Sequence, residues 1–310
     1  MRRLSALIVT ASVLATLTAC SGGINEEVEV DCPSGITSGS ASDTVETDTD
    51  FGAAPEVTFP VPLVSDGVQV SVIEAGDGDE LETGQPVLIE ATILNGTDGT
   101  VIQQTSYAED AGSLFTVGDS GLPALGNALE CVTVGSRVAV TASAQANVGD
   151  QGQASTDDSV VYVIDVLDAF DARADGSFQA VDGDLPAVVT APDGTPGITI
   201  PNALAPTELS SGTLRKGDGE KVTDDSALVA KLTAVDWNTG AVTSSTWETG
   251  STAVLNLAGT DISEGLREVL VGKTVGSQVV AVIPADVGGT EAAPASSTIV
   301  YVIDILGTLT

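Results

Sequence analysis

The chain has 310 residues, a formal net charge of −34 and no histidine. The missing histidine excludes Ser-His-Asp and Cys-His catalysis and any His-ligated metal site. The acidic surface repels nucleic acid, so no nucleic-acid partner is expected. A hydrophobic content of 42% argues against general disorder, and the length suggests two domains.

The N-terminal residues have the pattern of an export signal. Arg2 and Arg3 precede a short apolar run that ends in Leu17-Thr18-Ala19-Cys20, and small residues follow at once. This pattern resembles the lipobox of bacterial lipoproteins. The resemblance implies a signal peptide over residues 1–20, lipidation of Cys20 and a lipid-anchored location on the extracytoplasmic face of a bacterial cell membrane. An ordinary signal peptide or an anchor helix is the alternative.

Residues 21–50 are rich in Ser, Thr, Gly, Asp and Glu, which predicts an acidic disordered tether. If Cys20 is lipidated, Cys32 and Cys131 remain as a pair in an oxidising compartment. We therefore expect a disulfide between them, with two unpaired thiols as the alternative.

An internal repeat follows the tether. Three segments recur 139 to 141 residues later: 76–80 as 217–221, 133–138 as 274–279, and 160–167 as 299–306. A period this long predicts tandem domains, over 51–171 and 186–310, joined by a polar linker over 172–185. The acidic turn at 76–80 lacks the full ligand spacing of a calcium loop, so no metal site is predicted.

Each copy has the pattern of several strands and one short helix. Strands are predicted over 87–94, 227–235, 279–283 and 297–306, where β-branched residues are frequent. In the second copy, apolar residues at helical spacing predict a helix over 262–270, capped by Ser263 or Asp261. The predicted fold class is α+β, with an antiparallel sheet wrapped around one short helix in each domain.

In this order, these motifs resemble the FKBP-type peptidyl-prolyl cis-trans isomerase domain. The segments that carry the resemblance in the second copy are 215–219, 236–240, 270–277, 282–284 and 299–306. The resemblance covers residues 210–308 and, more weakly, 70–168. It implies two tandem FKBP-like domains, an isomerase that needs no cofactor, and proline-containing polypeptides as partners.

The resemblance also implies an apolar substrate pocket in the second copy. Tyr301 keeps the aromatic residue of the closing strand, whereas Leu232, Ile262 and Leu266 occupy positions that are aromatic or otherwise different in the family. Trp247 is the further candidate for the pocket wall. Because these substitutions reduce the desolvating surface, we expect weak isomerase activity and assign no catalytic residue. Two alternatives stay open: an inactive peptide- or protein-binding lipoprotein that retains only the fold, and a purely core role for these side chains.

Overall fold

The computed structural model describes residues 33–108, 112–119, 121–149, 158–181, 185–290 and 295–309. They belong to one compact unit, Cys32–Thr310, and form two large antiparallel sheets with a few short helices. This confirms the prediction of antiparallel sheet with little helix. None of the helices in the described ranges is long and apolar enough to span a bilayer.

The first half of the chain forms a six-stranded sheet in the order β3-β7-β8-β4-β5, with β6 also paired to β4. Its elements, with the hairpin that precedes it, are β1 (Glu46–Thr47), β2 (Val57–Thr58), β3 (Val68–Glu74), β4 (Pro86–Asn95), β5 (Val101–Gln104), β6 (Ser113–Thr116), α1 (Pro123–Ala128), β7 (Arg137–Ala142), α2 (Ala144–Val148) and β8 (Val160–Ala169).

The second half forms a seven-stranded sheet in the order β14-β13-β17-β16-β12-β9, with β15 also paired to β13. Its elements are β9 (Ser177–Phe178), β10 (Ala187–Thr190), β11 (Pro196–Thr199), β12 (Ser210–Lys216), β13 (Ala227–Asp236), β14 (Val242–Ser245), α3 (Thr246–Thr249), β15 (Ala253–Asn256), α4 (Glu264–Leu270), β16 (Gln278–Ile283), α5 (Ala285–Gly288) and β17 (Ile299–Leu309).

The predicted strands and the predicted helix are present with small shifts of their ends. The helix predicted over 262–270 is α4, and the Ser263 hydroxyl caps it by accepting a hydrogen bond from the Leu266 amide at 3.2 Å. One helix per sheet is too few, because α1 and α2 both flank the first sheet, and α3 and α5 accompany α4 beside the second.

Both faces of each sheet are covered, which explains why the central strands are apolar almost throughout. In β13, eight consecutive residues are buried. On one face of the second sheet lies the core that contains α4, and on the other a second core includes Val280, Val282 and Val300. A strand buried on both faces loses the alternation of apolar and polar residues that a half-exposed strand shows.

The outer face of the first sheet is covered by residues that were predicted to be a solvated tether. Ala41 and Val45 are buried there against the sheet, in the same core as Val163. The Gln69 side chain accepts hydrogen bonds from the amides of Ala41 and Ser42 at 2.9 and 3.3 Å. The tether prediction is therefore wrong for the ordered stretch 33–50, because a few apolar side chains and satisfied amides suffice to hold a polar segment on an apolar face.

The second sheet is covered in the same way, partly by the predicted linker. Strand β9 pairs with β12, and the Ala174 amide donates a hydrogen bond to the Asp304 carboxylate at 2.9 Å. Val188 and Ile198, on the hairpin β10–β11, pack on the outer core. The segment over 172–185 thus contributes contacts to the second sheet rather than only a connection.

The hairpins β1–β2 and β10–β11 show that the repeat is longer than the sequence motifs indicated. Val57-Thr58-Phe59-Pro60 recurs 141 residues later as Ile198-Thr199-Ile200-Pro201. This four-residue match is the signal that would have extended the repeat. Below, the first repeat means residues 33–169 and the second repeat residues 174–309.

The two repeats are in direct contact. The Lys231 ammonium donates a hydrogen bond to the Gly84 carbonyl at 2.8 Å, and the hydroxyls of Thr116 and Thr252 are 3.0 Å apart. Gly307 leaves room for the Phe170 ring, which a Cβ at this position would overlap.

Candidate functional site

Four of the five residues predicted for the pocket lie together in the second repeat. Leu232, Ile262, Leu266 and Tyr301 belong to one apolar cluster between the sheet and α4, which also includes Val287. We call this group the Tyr301 cluster. Its three aliphatic members retain exposures of 9%, 8% and 9%, so they are nearly covered by their neighbours.

A glycine in α4 sets how closely the helix approaches the sheet. A Cβ at Gly265 would lie 2.6 Å from Ile283 Cγ2 on β16. Because glycine has no Cβ, α4 packs directly on the strand, and the next residue, Leu266, reaches the Tyr301 cluster.

The Tyr301 hydroxyl is the polar group of this cluster. Among the residues that the structure describes, it has no hydrogen-bond partner. Burial raises the pKa of Tyr301, so the hydroxyl keeps its proton at neutral pH and is available as a donor.

The equivalent tyrosine of the first repeat is locked. Tyr162 is 2% exposed, and its hydroxyl donates a hydrogen bond to Asn147 Oδ1 on α2. Tyr162 pairs with Val140 in the sheet as Tyr301 pairs with Ala281, 141 residues later. The residue that matches Asn147 on α5 is Gly288, which has no side chain to bind the Tyr301 hydroxyl.

The rest of the first-repeat cluster is also closed. Ala91 and Leu125, the counterparts of Leu232 and Leu266, are 8% and 4% exposed and pack with Tyr162 in a single core. This cluster therefore has the character of a core rather than a binding site.

Trp247 does not join the Tyr301 cluster. Thr246 faces the cluster strand, where its hydroxyl accepts a hydrogen bond from the Leu232 amide at 2.9 Å. The next side chain, Trp247, lies against Gly194 in the turn between β10 and β11, with the Lys231 ammonium 4.6 Å from its ring centroid. The aromatic character of Trp247 suggested a pocket wall, but the turn of α3 directs it to the covering hairpin.

Buried charges beneath the covers are functional candidates that sequence analysis missed. In the first repeat, Arg137 and Asp165 form a fully buried ion pair with an Nε–Oδ1 distance of 2.6 Å. In the second, Gln278 and Asp304 occupy the same places, with a hydrogen bond of 2.8 Å, and burial raises the pKa of Asp304. An aspartate inside the apolar runs 160–167 and 299–306 was the available signal, because a carboxylate among such residues needs a buried partner.

The described residues contain no group of three or more His, Cys, Asp or Glu placed to hold a metal ion. Cys131 is disulfide-bonded. Cys20 and Cys32, the chain's other cysteines, lie outside the described residues, so their predicted roles stay predictions.

No protein-family model and no curated protein matches the chain. Similar solved structures include the three FKBP domains of wheat FKBP73, with 17% identity over 78% of this chain and 94% of that one, at a TM-score of 0.33. FkpA from Escherichia coli shows 21% identity over 39% of this chain and 51% of its own, at a TM-score of 0.29. A peptidyl-prolyl cis-trans isomerase from Pseudomonas syringae shows 16% identity over 34% of this chain and 77% of its own, also at 0.29. At such TM-scores these likenesses do not by themselves establish the fold.

Proposed function

We propose that the chain is an FKBP-like peptidyl-prolyl cis-trans isomerase or folding helper that acts on proline-containing segments of exported polypeptides. The second repeat carries the site, centred on Tyr301. The observation that carries the proposal is the Tyr301 hydroxyl, which lies in an apolar cluster without a partner among the described residues, whereas its first-repeat counterpart is bonded to Asn147. The family resemblance of the motifs over 210–308 supplies the reaction.

The chemistry asks little of the protein. Rotation about a prolyl amide crosses a barrier of roughly 18–20 kcal/mol that amide resonance creates. An apolar site disfavours the charge-separated planar amide, and a hydrogen-bond donor stabilises the twisted form. The Tyr301 cluster provides the apolar surface, and the Tyr301 hydroxyl provides a protonated donor. Such a reaction needs no nucleophile, metal or cofactor.

The same site explains why the activity is expected to be weak. Leu232, Ile262 and Leu266 are nearly covered, so a prolyl ring must displace neighbouring side chains to reach them. Aliphatic residues also offer less area than aromatic rings, which bury about 150–250 Å² each.

A second candidate is an inactive peptide- or protein-binding lipoprotein that retains only the fold. The closed first-repeat cluster around Tyr162 favours it, because one of the two equivalent sites is already filled by its own side chains. In this case the second repeat would bind prolyl peptides without accelerating their isomerisation.

A protease-coupled assay with a prolyl tetrapeptide tests these proposals on the mature chain. We expect a rate well below that of an intact FKBP-type enzyme, a further loss in Tyr301→Phe, and no change in the matched control Tyr162→Phe. Equal rates for Tyr301→Phe and the unmodified chain would exclude this site. Saturable peptide binding without turnover supports the second candidate, and neither binding nor turnover rejects both.

We further propose export and lipidation at Cys20, with each sheet and its cover folding as one of two tandem domains. Intact-mass analysis tests the first point: a mature chain that begins at an acylated Cys20 supports it, and an intact Met1 rejects it. The variant Cys20→Ala should move the protein from the membrane fraction to the soluble fraction.

A further inference from the structure

The first repeat contains a buried carboxylate that no other group neutralises. Glu90 on β4 is 2% exposed, and both of its carboxylate oxygens are buried without a hydrogen-bond partner. Buried polar groups in native proteins are almost always paired, and an unpaired charge is costly to bury. This carboxylate therefore points to a missing partner.

The neighbouring buried charges do not supply that partner. Asp165 is the cross-strand neighbour of Glu90, and it receives both near guanidinium bonds from Arg137, at 2.6 and 2.7 Å. Arg137 is also the one basic residue between positions 33 and 172. These three side chains thus carry one negative charge in excess.

The second repeat is balanced at the same places. Lys231 stands where the first repeat has Glu90, and its cross-strand neighbour is Asp304. Gln278, which replaces Arg137, is neutral and binds Asp304. Because the second repeat holds a cation in its own chain at this position, the first repeat lacks what the second contains.

A cavity of about 500 Å³ adjoins Glu90. Its walls include the side chains of Leu88, Leu167, Phe170 and Leu309, and the exposed Asp168 also lines it. The volume falls in the range of small-molecule sites. Apolar walls with carboxylates suit a cation on an aliphatic stem, and two acids are fewer oxygen ligands than a metal ion usually takes from a protein site.

We propose that this cavity binds the basic side chain of a polypeptide partner, an arginine or lysine. Its charged head pairs with Glu90, and its methylene stem contacts Leu88, Leu167 and Phe170. The net charge of −34 favours the approach of such a partner. This site lies in the first repeat and is independent of the Tyr301 cluster.

The test uses the mature chain and two probes of nearly equal shape, butylguanidinium and the neutral butylurea, titrated at low salt and followed by protein NMR spectra. We expect saturable shifts at the cavity with butylguanidinium and none with butylurea. Glu90→Gln should weaken butylguanidinium binding at least about tenfold, since a charge-assisted bond is lost. The control Glu208→Gln removes an equal charge from an exposed position and should bind normally.

Equal affinity of Glu90→Gln and the unmodified chain would overturn the proposal. So would equal binding of the two probes, or no binding of butylguanidinium to the unmodified chain. If Glu90→Gln does not fold, the two probes on the unmodified chain still decide. Calcium chloride alone forms the third arm, and displacement of butylguanidinium by calcium at equal stoichiometry would replace the organic cation with a metal site.

Discussion

Removing the Arg137 guanidinium should destabilise the first repeat strongly. The side chain is fully buried, and besides its two bonds to Asp165 it donates to the carbonyls of Thr49 and Ala53 at 2.6 and 2.8 Å. The Gly52 amide donates to Asp165 Oδ2 at 2.7 Å, so the same group fastens the covering segment 49–53 to the sheet. Arg137→Met removes every one of the guanidinium bonds while keeping an unbranched side chain.

The size of the effect follows from what stays behind. An uncompensated buried charge at Asp165 costs about 3–5 kcal/mol, and each orphaned carbonyl adds roughly 1–3 kcal/mol. A loss of about 5 kcal/mol is comparable to the whole stability of many domains. Arg137→Gln is the matched variant, because Gln278 holds Asp304 with a 2.8 Å bond at the equivalent place. We expect it to cost about half as much.

Urea unfolding followed by two signals measures both variants. The chain's two tryptophans, Trp237 and Trp247, lie in the second repeat, whereas far-ultraviolet circular dichroism reports both sheets. At a slope of about 2 kcal/mol per molar urea, Arg137→Met should lower the dichroism midpoint of the first repeat by about 2 M. If the repeats are separate folding units, the tryptophan midpoint stays in place.

Two results would refute the reasoning. One is a shift below about 1 kcal/mol for Arg137→Met, since it would mean that the buried pair and its carbonyl contacts contribute almost nothing. The other is equal damage from Arg137→Gln and Arg137→Met, because the second repeat shows that an amide can serve this carboxylate. Coincident shifts of both signals would instead reject independent folding of the two repeats.

Three further predictions concern other groups. Gly288→Asn should give the Tyr301 hydroxyl the partner that Asn147 gives in the first repeat; a Cβ there meets ordinary contacts of 3.4 Å or more, so prolyl-peptide affinity should fall about three- to tenfold without loss of folding, and unchanged affinity would contradict the role of the free hydroxyl. Burial raises the folded-state pKa of Asp304 above its unfolded value of 3.8, so its contribution to stability should fall as pH rises from about 4 through the folded pKa; the difference in unfolding free energy between the unmodified chain and Asp304→Asn should shrink over that range, and a growing difference would reverse the sign. Cys131→Ser should release one new titratable thiol from the non-lipidated chain and lower the thermal midpoint, and an unchanged thiol count would contradict the disulfide.

The sequence predicted the elements better than their surroundings. The strands at 87–94 and 227–235 and the Ser263 cap follow from local patterns of β-branched residues and helix-end chemistry, and they were found within a residue or two. The covering segments were missed because Ala41 and Val45 are two apolar residues in a polar stretch, and composition averages them away. Only the contacts of the folded sheet show that they are buried.

The candidate site divides in the same manner. Leu232, Ile262, Leu266 and Tyr301 come together because sheet register and helix periodicity fix the direction of each side chain. Trp247 follows a strand end within a four-residue helix, where one turn decides which face a side chain takes. The Asn147–Tyr162 bond depends on two short helices whose positions no local pattern encodes.

The cover on the first sheet limits how far the molecule can travel from its proposed anchor. If Cys20 carries the lipid and ordered structure begins near residue 33, the leash is about 12 residues instead of the 30 that a free segment to residue 50 would give. Even fully extended, 12 residues span only about 40 Å. The protein would then patrol a shell no deeper than roughly one small domain above the bilayer, where newly exported chains emerge, and lengthening this leash should change which clients it meets.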